Sequence, residues 1–161
     1  MLAASWVIIA STALVVALIF VGVFRLPFVF VNILGANHSL THWFGWAGTL
    51  YIATATPFYP IIKRRYSSHL RKTLNLHILG NLVGVFFVSV HFAHQVTRPA
   101  AFYPDLGTGV VLYSTMLILL STGMIQYSSV VKRFSAQVKF LHPAFALTFY
   151  TVIVMHIIQG I

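Results

Sequence analysis

Charge is scarce in this chain. Only 7% of its 161 residues are Asp, Glu, Lys or Arg, where a soluble domain carries about a quarter. Cysteine is absent, which excludes disulfides, iron–sulfur clusters and covalent c-type heme attachment. No GxGxxG or P-loop glycine cluster occurs, and 161 residues leave no room for a Rossmann unit beside a bundle. A single acidic residue, Asp105, stands against ten Lys and Arg. The net charge of +9 does not point to nucleic acid, because the basic residues cluster at the ends of apolar runs.

Those apolar runs are what the chain has in abundance. Hydrophobic residues make up 59% of it and the mean hydropathy is +0.91. The runs are near twenty residues long, the length of a helix that crosses a bilayer, not the ten alternating residues of a barrel strand. The sequence therefore predicts an all-α integral membrane protein: five transmembrane helices in one bundle, over about 2–24, 42–62, 74–96, 107–127 and 140–161. The first run lacks the basic start and the cleavage site of a secretory signal, so it reads as a retained span. The stretch from Arg25 to Asn37 reads as interfacial or as an extension of that helix. Trp43 and Trp46 at one end of the second run and Tyr59 at the other match aromatic belts, and Pro57 and Pro60 mark its end.

Eight of the ten Lys and Arg fall after the second and fourth runs: Lys63, Arg64, Arg65, Arg71, Lys72, Lys132, Arg133 and Lys139. Only Arg25 and Arg98 fall on the other side. The positive-inside rule puts the first set in the cytoplasm, the N-terminus inside and the C-terminus outside, in the cell membrane. The third and fifth helices then run in parallel, from inside to outside.

The third run carries His77 and His91, and the fifth carries His142 and His156; each pair is fourteen residues apart. At about 100° per residue, fourteen steps fall about 40° short of four turns, so both imidazoles of a pair leave one face. Their separation of about 21 Å covers most of a ~30 Å hydrocarbon core. Parallel helices give like depths, pairing His77 with His142 and His91 with His156. A low-spin b heme needs two neutral imidazoles on opposite faces of its iron, so this pattern predicts two hemes (heme b). One intramembrane histidine could simply bond a neighbouring helix. Four at two matched spacings point to function, because polar groups in lipid are costly.

Other residues carry two readings each. Gly80 and Gly84 follow His77 on roughly its face; they would let a porphyrin approach the backbone, or serve small-xxx-small helix packing. His38, His42 and His94 gather at the outer side as a site for a metal substrate, a proton or a heme propionate, or as solvated interfacial histidines. His94, three residues after His91, is an alternative ligand if the register differs. Arg98 could pair with an outer propionate. Arg71, Lys72 and Lys139 could pair with an inner one, or meet lipid headgroups. His69 reads as solvent-exposed.

The histidine pairs resemble the ferric reductase-like transmembrane domain, the heme core of ferric reductases and NADPH oxidases. TLYIATATPFYPIIKRR (Thr49 to Arg65) resembles its second helix, RKTLNLH (Arg71 to His77) the lead-in to its third, and TGVVLYSTMLILLSTG with VVKRFSAQVKFLH its fourth helix and the loop into its fifth. The likeness covers roughly residues 43 to 161. It implies that His77, His142, His91 and His156 ligate heme iron, and that electrons cross from inside to outside. The family core usually has six helices, and the flavin and NADPH domains of the reductases have no counterpart here. The sequence therefore predicts an electron-transfer subunit, a diheme cytochrome b working in lipid with other redox subunits. A quinol-oxidising cytochrome b anchor with a quinone site, and a non-redox membrane assembly protein, are the competing readings.

Overall fold

The computed structural model describes residues 2–26, 29–33, 35–99, 106–128 and 135–160. Pro27, Pro104, Asp105, Lys132 and Arg133, assigned above to interfaces and loops, lie outside the described residues. Five helices account for most of it: α1 (Leu2–Phe20), α2 (Leu40–Arg65), α3 (Leu70–Val96), α4 (Gly107–Ser128) and α5 (Ser135–Gly160). A two-stranded hairpin, β1 (Phe30–Ile33) and β2 (Ala36–Ser39), precedes α2, and a short 3-10 helix, Ser67–His69, precedes α3. Among the described residues, four helices are long and apolar enough to cross a membrane: α1, α3, α4 and α5. The protein is thus a helical integral membrane protein. The fifth span expected over 42–62 does not meet that standard. Its helix, α2, has the length but mixes glycine, threonine, proline and three terminal cations into the run.

The chain divides into two compact units, residues 1–104 and 105–161. In the first, α2 and α3 are antiparallel. Gly48 meets Gly84 and Val88, and the contact is so close that a Cβ on Gly48 would lie 2.5 Å from the Gly84 carbonyl. The C-terminal halves of α1 and α3 close a small core of Ile19, Val90 and Ala93, flanked by Val15, Val16, Leu26, Phe44 and Phe86. In the second unit, α4 and α5 are also antiparallel, and Leu112, Met116, Leu119, Val138, Phe149, Val152 and Ile153 are buried. Gln126 Nε2 donates to the Val138 carbonyl at 3.1 Å. Large exposed apolar side chains, among them Phe140, Leu147 and Ile158 on α5, suit a helix that meets lipid rather than water.

Three boundaries differ from the sequence reading. The first helix stops at Phe20, where Gly22 adopts φ +74, a left-handed conformation that ends helices and suits glycine. The stretch expected to be interfacial or helical folds as an antiparallel hairpin, with Val31 opposite His38 and Asn32 opposite Asn37. Gly35 turns it at φ +85, and its N–H donates to Asn32 Oδ1 at 3.1 Å. Pro57 and Pro60 do not end the second helix, which continues to Arg65 with both inside. Proline fixes a helical φ, and its cost lies in a lost N–H bond and crowding against the preceding turn, which this helix absorbs. Lys63, Arg64 and Arg65 in the last turn offset the negative end of the helix dipole.

Candidate functional site

Each of the four histidines predicted as ligands lies on the face its helix turns to its antiparallel neighbour. In the second unit the arrangement is repeated. Thr122 Oγ1 on α4 lies 3.0 Å from His142 Nδ1, and Thr108 Oγ1 lies 3.1 Å from His156 Nδ1. Each threonine is followed by a glycine against the same ring. A Cβ on Gly123 would lie 3.1 Å from His142 Cε1, and one on Gly109 would lie 3.5 Å from His156 Cε1. The threonines are fourteen residues apart, the same interval as the histidines.

The Thr122 contact favours one tautomer. Its Oγ1 also lies 3.0 Å from the Ile118 carbonyl and 2.9 Å from the Leu119 carbonyl. A hydroxyl has one proton, and carbonyls only accept, so that proton goes to the backbone. In that arrangement Thr122 accepts from the His142 Nδ1–H. A neutral imidazole that donates through Nδ1 carries its lone pair on Nε2.

In the first unit the surroundings are less regular. His77 stacks on Tyr59 of α2, with centroids 4.5 Å apart and planes 23° apart. Asn81 Nδ2 lies 3.3 Å from its Nδ1 and 3.4 Å from its Nε2. His91 lies against Gly45, where a Cβ would come within 2.8 Å of its ring. Tyr59, expected as an interfacial anchor, is thus a ring partner of His77.

The cluster expected from His38, His42 and His94 is built differently from the trio predicted. His38 and His42 stack at 4.4 Å, and His42 meets His91 edge-on at 5.2 Å. Trp43 donates from Nε1 to the Val31 carbonyl at 3.0 Å, which ties the hairpin to the first turn of α2. His94 is drawn elsewhere. Its Nδ1 lies 2.8 Å from Thr41 Oγ1, its ring faces the Leu26 carbonyl, and it is 3% exposed. Both edges of the ring are therefore turned to protein. Among the described residues, no three His, Cys, Asp or Glu side chains come together as a metal-ion site.

Gly80 and Gly84 face α2, not open space. Tyr51 covers Gly80 and donates from its hydroxyl to the Leu76 carbonyl at 3.4 Å. Ile52 covers Gly84, with Cγ1 at 2.9 Å from a Cβ placed there. Both glycines therefore stand at the α2–α3 contact. Arg98 lies just beyond α3, beside His94, and burial pulls its guanidinium below the usual range. Lys63, Arg64, Arg65, Arg71, Lys72 and His69 are exposed around the turn between α2 and α3, and Lys139 is exposed on α5.

Thr41, Thr108, Thr122 and Asn81 were not singled out by the sequence reading, and Tyr59 was expected only as an interfacial anchor. The signal for two of them was present: the dipeptide Thr-Gly at 108–109 and again at 122–123 repeats the histidine interval. No protein-family model matches the chain, and no curated protein or solved structure matches it.

Proposed function

We propose that this protein is a diheme b-type cytochrome of the ferric reductase-like kind that carries electrons across a membrane. The observation that carries the reading is the set of four histidines at two equal intervals on two apolar helices, with His142 and His156 each held through Nδ1 by a threonine. The ligand sets are His77 with His142 and His91 with His156. The donor chemistry fits a b heme: neutral imidazoles, no thiolate, and in His142 an Nε2 lone pair left available by the Nδ1 bond. Bound heme supplies a one-electron ferric–ferrous couple.

The chain's own contribution is to hold the imidazoles neutral and fixed inside an apolar bundle. Arg98, with its cationic head near the outer end, is the residue suited to a propionate. The outer rings of His38 and His42 form the face nearest an acceptor. The basic turn from Lys63 to Lys72 lies on the cytoplasmic side in the orientation we assign, N-terminus in and C-terminus out, and its exposed cations suit an acidic redox partner or anionic lipid. The plasma membrane is the assigned location, and other redox subunits are the assigned partners. A quinol-oxidising anchor is the second reading, since it too rests on paired histidines.

The deciding experiment is a reduced-minus-oxidised spectrum of the purified protein with pyridine hemochrome quantitation. Two b hemes per chain support the reading; one or none refutes it. Reduction by a quinol alone, without a protein donor, would favour the anchor.

A further inference from the structure

We propose that Thr108 and Thr122 are positioning residues that set the tautomer and the donor strength of two iron ligands, His156 and His142. The proposal rests on the diheme reading and adds which groups outside the ligand set tune each iron. At Thr122 the hydroxyl lies 3.0 and 2.9 Å from the Ile118 and Leu119 carbonyls, and with its proton on the backbone the oxygen 3.0 Å from His142 Nδ1 accepts. In that arrangement the imidazole donates from Nδ1, and its Nε2 is left as a lone pair. Thr108 repeats the contact at 3.1 Å from His156 Nδ1.

The repetition matters more than either bond alone. Two antiparallel helices keep the same facing residues over four turns only if the partners are spaced alike. Threonine to threonine and histidine to histidine are both fourteen residues. Gly123 leaves room at the Cε1 edge of the His142 ring, between Nδ1 and Nε2, whereas a Cβ on Gly109 would make only ordinary contact with His156 at 3.5 Å. A Cβ on Gly123 would lie 3.1 Å from His142 Cε1 and 4.0 Å from its Nε2. His94 is the useful contrast. It too has a threonine on Nδ1, but it is 3% exposed, packed between the start of α2 and the end of α3.

A hydrogen bond from Nδ1–H strengthens imidazole as a ligand, and such outer partners change metal affinity by about 10–100-fold when removed. A stronger donor favours the ferric state, so losing the bond moves the potential upward.

The test uses the full chain, purified with heme, as Thr122→Val, Thr108→Val, Thr122→Ser and Thr108→Ser. The readouts are a redox titration resolved into two transitions, the low-spin EPR g values, and heme retained per chain. We expect Thr122→Val to move one transition to more positive potential and to shift the g values of one ferric center. Thr108→Val should move the other. Heme retention should fall about tenfold or more in each, while both serine variants titrate as wild type. Should Thr122→Val fail to fold, Thr108→Val carries the same test at the other center, in the first turn of α4. Wild-type protein with two hemes whose potentials and g values are unchanged in the valine variants overturns the proposal and leaves the diheme reading standing. Wild-type protein that binds no heme overturns both.

Discussion

Thr41 Oγ1 lies 2.8 Å from His94 Nδ1, and the pair is buried between the first turn of α2 and the last turn of α3. Ser39 Oγ is 3.2 Å from the same hydroxyl and also caps α2 by accepting from the His42 N–H at 3.3 Å. One polar chain therefore links the hairpin, the start of α2 and the end of α3. His94 is structural in this arrangement, where the sequence left it open as a ligand or an outer-face site.

The first prediction follows from that contact. Thr41→Val leaves a buried imidazole nitrogen without its partner, which costs roughly 1–3 kcal/mol. Thermal unfolding in detergent should report that loss while the heme absorption of the folded protein stays as in wild type. His94→Gln should likewise keep two hemes. Disappearance of one heme from His94→Gln would mean that His94, and not His91, is the ligand.

A second prediction concerns the ligand sets. His77→Ala and His142→Ala should remove the same redox transition, and His91→Ala and His156→Ala the other. The measurement is a redox titration of the four variants. If His77→Ala and His91→Ala abolished one common transition and spared the other, the pairing would be wrong.

The α2–α3 glycines separate packing from a porphyrin cradle. Gly48→Ala sets a methyl 2.5 Å from the Gly84 backbone carbonyl, and backbone cannot step aside cheaply. Overpacking of this kind costs roughly 1–3 kcal/mol. Gly80→Ala meets the far end of the Tyr51 side chain, which can rotate away and give up its bond to Leu76. The expected order in a melting assay is Gly48→Ala much less stable than Gly80→Ala, with heme content in Gly80→Ala unchanged. Selective heme loss in Gly80→Ala would return that glycine to the cofactor site.

Orientation gives a fourth. With eight of ten Lys and Arg assigned to one side, the C-terminus should lie outside. A C-terminal phosphatase fusion should be active and a C-terminal fluorescent fusion dark. The reverse pattern would turn the basic α2–α3 turn outward and remove it as a docking face for a cytoplasmic donor.

Much of this protein was legible in the sequence because the bilayer leaves few choices. A run of about twenty apolar residues must satisfy its backbone bonds internally, so helix is the only local answer. The positions of α1, α3, α4 and α5 followed from that, as did the shared face of each histidine pair, since helical pitch alone fixes the angle between residues fourteen apart. What the sequence could not decide was which neighbour each polar group would meet. The hairpin at Phe30–Ser39 depends on a left-handed Gly35 and on Trp43 reaching the Val31 carbonyl, a contact across twelve residues. Gly80 and Gly84 stand on roughly the same face as His77 by spacing, yet Tyr51 and Ile52 of α2 cover them. His94 and His91, three residues apart, differ because only one meets Thr41. The pairing of Thr108 with His156 and Thr122 with His142 depends on the register in which α4 lies against α5. Pitch is a property of one helix, whereas register is a property of two, set by the packing of side chains far apart in the chain.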